Sequence, residues 1–195
     1  MKPDLTDIPK ALAARPRDEK RGLPIPYANV FPDGSHDFTV IAADASLDIA
    51  RRGICGLCGV LLDAEVAFLG GVRKEDGIGV YTDPPMHEGC AVAATKLCPH
   101  LRLSQARRVK EERQDMKGID IVTGPGWSET KPPEWHLTIW RGYAVTLHQQ
   151  VLCYVPGVIR MTGFDRPFST DMVRERVFTY DAAGLLSEED TSWTT

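Results

Sequence analysis

The sequence predicts an α+β fold, with antiparallel strands, a helix near the middle of the chain and a second one near its end. Three observations predict it. Runs of branched apolar residues, "VLLDAEVAFLGGV" and "HLTIWRGYAVTLH", have strand character. The stretch from about His87 to Cys98 reads as a helix, with Pro84 and Pro85 before it, alanines inside it and Pro99 to stop it. A cysteine pair, "CGLCG" at 55–59, lies ahead of the first run, and "HEGC" at 87–90 lies at the start of that helix.

Taken in order, residues 1–22 are charged and proline-punctuated, which predicts a flexible arm or an extended strip along the surface. One α+β domain is expected over 23–180, with a metal-binding core at 53–100 and an acidic tail at 181–195. "LPIPYANVF" mixes prolines with large apolar groups and reads as extended chain on the core. After the turn signal "PDG", "DFTVIA" reads as a strand. "DASLDIARR" has acidic residues early and arginines late, the polarity that suits a short helix, and Gly53 ends it. From Val60 to Val80 the pattern predicts a β-hairpin turning at "RKEDG". "VLCYVPGVIRM" predicts a tight hairpin turning at Pro156-Gly157. Ser169, Thr170 and Asp171 offer N-caps for a last helix reaching about Tyr180.

Composition excludes some function classes. Of the 195 residues, 43% are hydrophobic and 26% charged, which is ordinary for a soluble globular protein. The net charge of −4 provides no global field that would draw the chain to nucleic acid or anionic lipid, so such binding would need a local patch. No apolar run approaches the ~20 residues that cross a bilayer. The first twenty residues lack the apolar stretch of a secretory signal, so a cytoplasmic protein with reduced thiols is expected. There, Cys-x-x-Cys is a metal or redox motif rather than a disulfide.

Zn²⁺ takes four soft or borderline donors in a tetrahedron. Cys55 and Cys58 can fold into a knuckle, with the glycine after each clearing the backbone path. His87 and Cys90, three apart at a helix start, share one face, and the free N–H groups there stabilise thiolates. Knuckle, hairpin and ligand-bearing helix come in the order of a treble-clef zinc finger, and Cys55-x2-Cys58-x28-His87-x2-Cys90 resembles that pattern. The four are therefore the predicted ligands of a structural Zn²⁺. Cys98 is about 12 Å beyond Cys90 along a helix, too far to share the ion with it, although Cys98 could replace His87 if the helix starts later. The competing reading makes the cysteines buried core residues. A redox pair of thioredoxin type fits less well, because that motif opens a helix and a hairpin follows here. Cys153, mid-strand, reads as core.

Nothing in the sequence identifies an enzyme. His-Me finger nucleases carry a histidine in the hairpin, and there is none between Gly59 and Met86. Glu75 and Asp76 sit in a polar turn, and His36, His136 and His148 are the remaining acid–base candidates. The basic run Arg107, Arg108, Lys110 and Arg113 is the candidate contact for nucleic acid or a protein partner, diluted by Glu111 and Glu112. Trp127, Trp135, Trp140 and Tyr143 offer an apolar contact surface, or more simply core.

"LPIPY", "DFTV", the "CGLCG" knuckle and "PPMHEGCAVAATKLCPHL" together resemble a family of uncharacterised actinobacterial and actinophage proteins, over residues 22–108. Ala94 keeps the helix pattern of that family, whereas His100 stands where an aromatic is usual. The resemblance implies a shared zinc-binding core and a bacterial or phage setting, and no particular reaction. The two functions that follow are a non-enzymatic binding protein and, as the alternative, a metal-dependent hydrolase or nuclease.

Overall fold

The computed structural model describes residues 5–70, 79–105, 131–148, 150–157 and 172–189. Its helices are α1 (Lys10–Ala13), α2 (Ala43–Arg52), α3 (Glu88–Leu97) and α4 (Pro99–Arg102). Its strands are β1 (Glu65–Gly70), β2 (Glu134–Arg141), β3 (Tyr143–His148), β4 (Val151–Pro156), β5 (Met172–Tyr180) and β6 (Leu186–Glu188). Helices and antiparallel sheets are thus mixed, as the α+β expectation has it.

The main sheet has the order β1-β2-β5-β6 and is antiparallel throughout, while β3 and β4 form a separate ribbon. Alternation along β1 and β2 gives this sheet two buried faces. Ala67, Leu69, Trp135, Leu137 and Ile139 face one core with Cys55, Cys58, Cys90 and the alanines of α3. Val66, Phe68 and Trp140 face the other, with Ile49 of α2 and Tyr154 of β4. Each large apolar side chain fully buried this way contributes about 1.5–3 kcal/mol. The Tyr154 hydroxyl ties the second core together, donating to Ser46 O at 3.0 Å.

Helices α2 and α3 lie where the sequence puts them, with Gly53 at φ +63° closing α2. Several strands do not. "DFTVIA" forms a turn, because the Asp37 carboxylate accepts from Thr39 N–H and its hydroxyl at 2.7 and 2.6 Å. The Asn29 side chain donates to Asp37 O and Val40 O, which removes them from any ladder. β1 pairs with β2, seventy positions on, and Tyr81, just past the expected 60–80 hairpin, bridges to Tyr154 of β4. The hairpin turn itself, at 71–78, lies outside the described residues. At the other edge, among the described residues, Met86 bridges to β1, through Ala67 N–H to Met86 O at 2.7 Å and Met86 N–H to Ala67 O at 3.0 Å.

The last helix is a correction: 172–180 is strand β5, between β2 and β6. Its valines, Thr179, Phe178 and Tyr180 suit a pleated surface, and its arginines find carboxylates there. Strand β4 folds back on β3, and the second arm of the hairpin expected at Pro156-Gly157, residues 158–161, lies outside the described residues. Both ends differ from expectation as well. Leu12 of the expected arm is buried in the first core, and the expected tail contains β6, after a turn at 181–185.

Candidate metal centre

The knuckle closes through its backbone. Cys55 N–H donates to Val60 O, Gly59 N–H to Cys55 O and Leu62 N–H to Gly53 O, each at 2.8 Å. Its glycines are needed for space. A Cβ on Gly56 would stand 2.8 Å from Pro84 Cβ, and one on Gly59, at φ +76°, 2.6 Å from Tyr27 Cδ2. Two neighbouring segments hold this loop. Tyr27 N–H and Ala28 N–H donate to Leu57 O and Gly56 O at 3.0 and 2.9 Å, and Gly56 N–H donates to Pro85 O at 2.9 Å. The Met86–Ala67 bridge then delivers the chain to His87, the N-cap of α3, with Cys90 in the first helical turn.

These four side chains come together. One donor atom from each of Cys55, Cys58, His87 and Cys90 lies within 4.8 Å of the other three, and the three cysteines are buried. His87 Nδ1 is 3.4 Å from Cys58 Sγ. A tetrahedron with metal–S of ~2.3 Å and metal–N of ~2.0 Å has S–N edges of about 3.5 Å, so the donor set fits a metal ion. His87 Nε2 stands 3.0 Å from Leu61 O. A carbonyl only accepts, so Nε2 carries the proton, and in the neutral ring Nδ1 keeps its lone pair for the metal.

The electrostatics favour negative charge at this point. Hydrogen bonds from the Cys58 and Cys90 thiols, with backbone N–H groups of Cys58 and His87, overcome burial and push the Cys55 thiol down to about 2. Cys58 and Cys90 are pushed up, chiefly because they donate to Cys55. Three thiols converging with backbone N–H groups favour loss of a proton at the cluster, which suits it to receive a cation.

The other candidates separate. Cys98 is the C-cap of α3 and no part of the donor set. Cys153 is buried core, and all five cysteines are free thiols. Trp135 and Trp140 are core as well; Trp135 donates to the Tyr180 hydroxyl at 2.9 Å. His36 pairs with Asp18 at 3.2 Å, and His148 is exposed on β3. His136 lies between Glu175 (2.8 Å from Nδ1) and Glu134 (3.1 Å from Nε2), so both ring nitrogens are taken. Arg107, Arg108, Lys110, Arg113, Glu75, Asp76 and Trp127 lie outside the described residues. No helix among the described residues is long and apolar enough to cross a membrane.

A cleft of about 400 Å³ opens beside His87, with Asp63, Glu65, Glu88 and Arg174 on its walls. Arg174 pairs with both Glu65 and Glu88, and Glu88 also meets Arg176, which continues to Glu188. This ladder fastens the first turn of α3, and so His87 and Cys90, to the sheet. The sequence gives no sign of it, since a β5 read as helix offers no ladder. Tyr27 beneath the knuckle left one trace, the glycine at 59. Comparison with family models, with curated proteins and with solved structures found no match.

Proposed function

We propose that Cys55, Cys58, His87 and Cys90 hold one structural Zn²⁺ in a treble-clef-like centre. The chain is then a non-enzymatic, zinc-stabilised binding protein acting through a protein or nucleic-acid partner. The observation that carries this reading is the donor set itself: three thiols and one imidazole from a knuckle and a helix start, all within 4.8 Å. Three sulfurs with one nitrogen favour zinc over the harder cations, and four protein donors fill the tetrahedron, leaving no position for a reacting water. The zinc would pin the knuckle to α3 and, through the Met86–Ala67 bridge, to β1. The reduced thiols agree with a cytoplasmic setting, and the motif resemblance with a bacterial or phage one.

The alternative, a metal-dependent hydrolase or nuclease, finds less support. His136 has no nitrogen left to act as a base, and Arg174 occupies two of the carboxylates in the cleft. Arg107, Arg108, Lys110 and Arg113 are the proposed contact for the partner. Titrating zinc-loaded protein with labelled duplex and single-stranded DNA at two salt concentrations tests this. Binding that weakens with salt, and again when Arg107 and Arg108 become glutamine, supports a nucleic-acid partner. No binding leaves the protein partner. Hydrolysis of a phosphodiester or ester that vanishes in His136→Ala or His148→Ala overturns the binding reading.

A further inference from the structure

The N-terminal segment docks on the metal centre. Ile8 and Leu12 pack into the same core as Cys55, Cys58 and Cys90, and Leu12 is only 4% exposed. Pro9 closes on the helix that bears Cys90; a Cβ on Gly89 would stand 3.2 Å from Pro9 Cγ. Helix α1 then leads to Arg15, which is half-buried. Its Nε donates to Ile25 O at 3.0 Å, and its guanidinium lies 5.4 Å from the centroid of the Tyr27 ring. Tyr27 is the residue whose ring underlies Gly59 and whose N–H holds the knuckle carbonyl of Leu57. Further backbone bonds, Ile25 N–H to Pro16 O at 2.8 Å and Asp18 N–H to Leu23 O at 3.0 Å, double the segment back on itself and fix Arg15 there.

This placement has an electrostatic consequence. Three thiolates outweigh the charge of one Zn²⁺, so the loaded centre is an anion held under apolar cover. A partly buried negative centre needs a positive group close by. Burial works against the charge on Arg15, and the guanidinium is held over the face of the Tyr27 ring, next to the knuckle. Arginine keeps its charge at any ordinary pH, so it can serve as a fixed counter-charge.

Building on the zinc reading, we infer that residues 8–15 are a strap over the metal centre. Pro9 and Leu12 cover its apolar side, and Arg15, stacked on Tyr27, balances its charge, so that the docked strap retards release of the metal. Arg15 is a positioning residue: it is no ligand, and acts through Tyr27 and the knuckle. Outer-layer partners of metal ligands typically change metal affinity about 10–100-fold when removed.

The test is the rate at which zinc-loaded full-length protein gives up its metal to excess chromophoric chelator at neutral pH. It is run on the parent, Arg15→Gln, Arg15→Met and Arg15→Lys, with the thermal midpoint of each. Met keeps the stacking on Tyr27 without the charge, and Lys keeps the charge with a different shape. The expected result is release accelerated about tenfold or more in Gln and Met, and within about threefold of the parent in Lys. Release at the parental rate in Gln and Met, from a parent that does hold zinc, overturns this inference alone. So does equal acceleration in all three, with midpoints lowered together, since that is loss of packing. A parent that holds no zinc overturns the zinc reading and this inference with it.

Discussion

Gly59→Ala probes the knuckle without touching a ligand. Gly59 has φ +76°, and a new Cβ there would lie 2.6 Å from Tyr27 Cδ2 and 3.2 Å from Cγ. Those atoms sit near the root of the ring, and Tyr27 is anchored at both ends. Its N–H donates to Leu57 O, and its hydroxyl donates to Asp48 at 2.5 Å. The ring cannot swing away cheaply. Left-handed backbone costs an alanine about 1–2 kcal/mol, and forcing a methyl into a filled space adds about 1–3 kcal/mol. Gly53→Ala is the control, because Gly53 has φ +63° but nothing within 4 Å of the new Cβ. It pays only the conformational part. Urea unfolding of both variants at one fixed free-zinc concentration should place Gly59→Ala about 1–3 kcal/mol below Gly53→Ala. Equal losses would show that the ring does not lie against the knuckle, and the packing described here would be wrong.

Two further outcomes follow from the geometry. The Arg174 guanidinium holds the Glu88 carboxyl below its ordinary value of 4.5, and Arg176 does the same for Glu188. Depressed carboxylates contribute stability that is present above the unfolded value and is lost as pH falls through the folded one. Between about pH 5 and pH 3 the parent should therefore lose stability faster than Arg174→Met; acid release of metal is common to both and drops out of the difference, so parallel curves would refute the ladder. Tyr154→Phe removes the hydroxyl that donates to Ser46 O and meets Ser46 Oγ at 3.2 Å, both buried. It should cost about 1–3 kcal/mol in denaturant unfolding, and a loss near zero would mean that the hydroxyl does not join α2 to β4.

The parts of this molecule that were legible in the sequence are the ones fixed by near neighbours. The spacing of His87 and Cys90 and the prolines around α3 place two donors on one helical turn; the flanking glycines mark the knuckle. Helix α2 shows its polarity and its stop within ten residues. Long-range pairing was not legible. β1 reads as half of a hairpin because the following residues suit a strand, yet its ladder is made with β2. β5 carries charged residues at helix-like density, and the carboxylates on β1, α3 and β6 explain why arginines stand on a half-buried sheet face. Local capture by Asp37 and Asn29 overrode the β-propensity of "DFTVIA". At the N-terminal segment, Leu12 among charges read as surface; its burial depends on a cluster more than forty residues away.

The most direct test is the metal content of protein purified without added metal, for the parent, Cys58→Ser and Cys90→Ser. The account predicts about one zinc per parent chain, bound by three sulfurs and one nitrogen in X-ray absorption, and lost together with the folded state in both variants. A parent without zinc, and serine variants that stay folded, would contradict it and make these cysteines core residues.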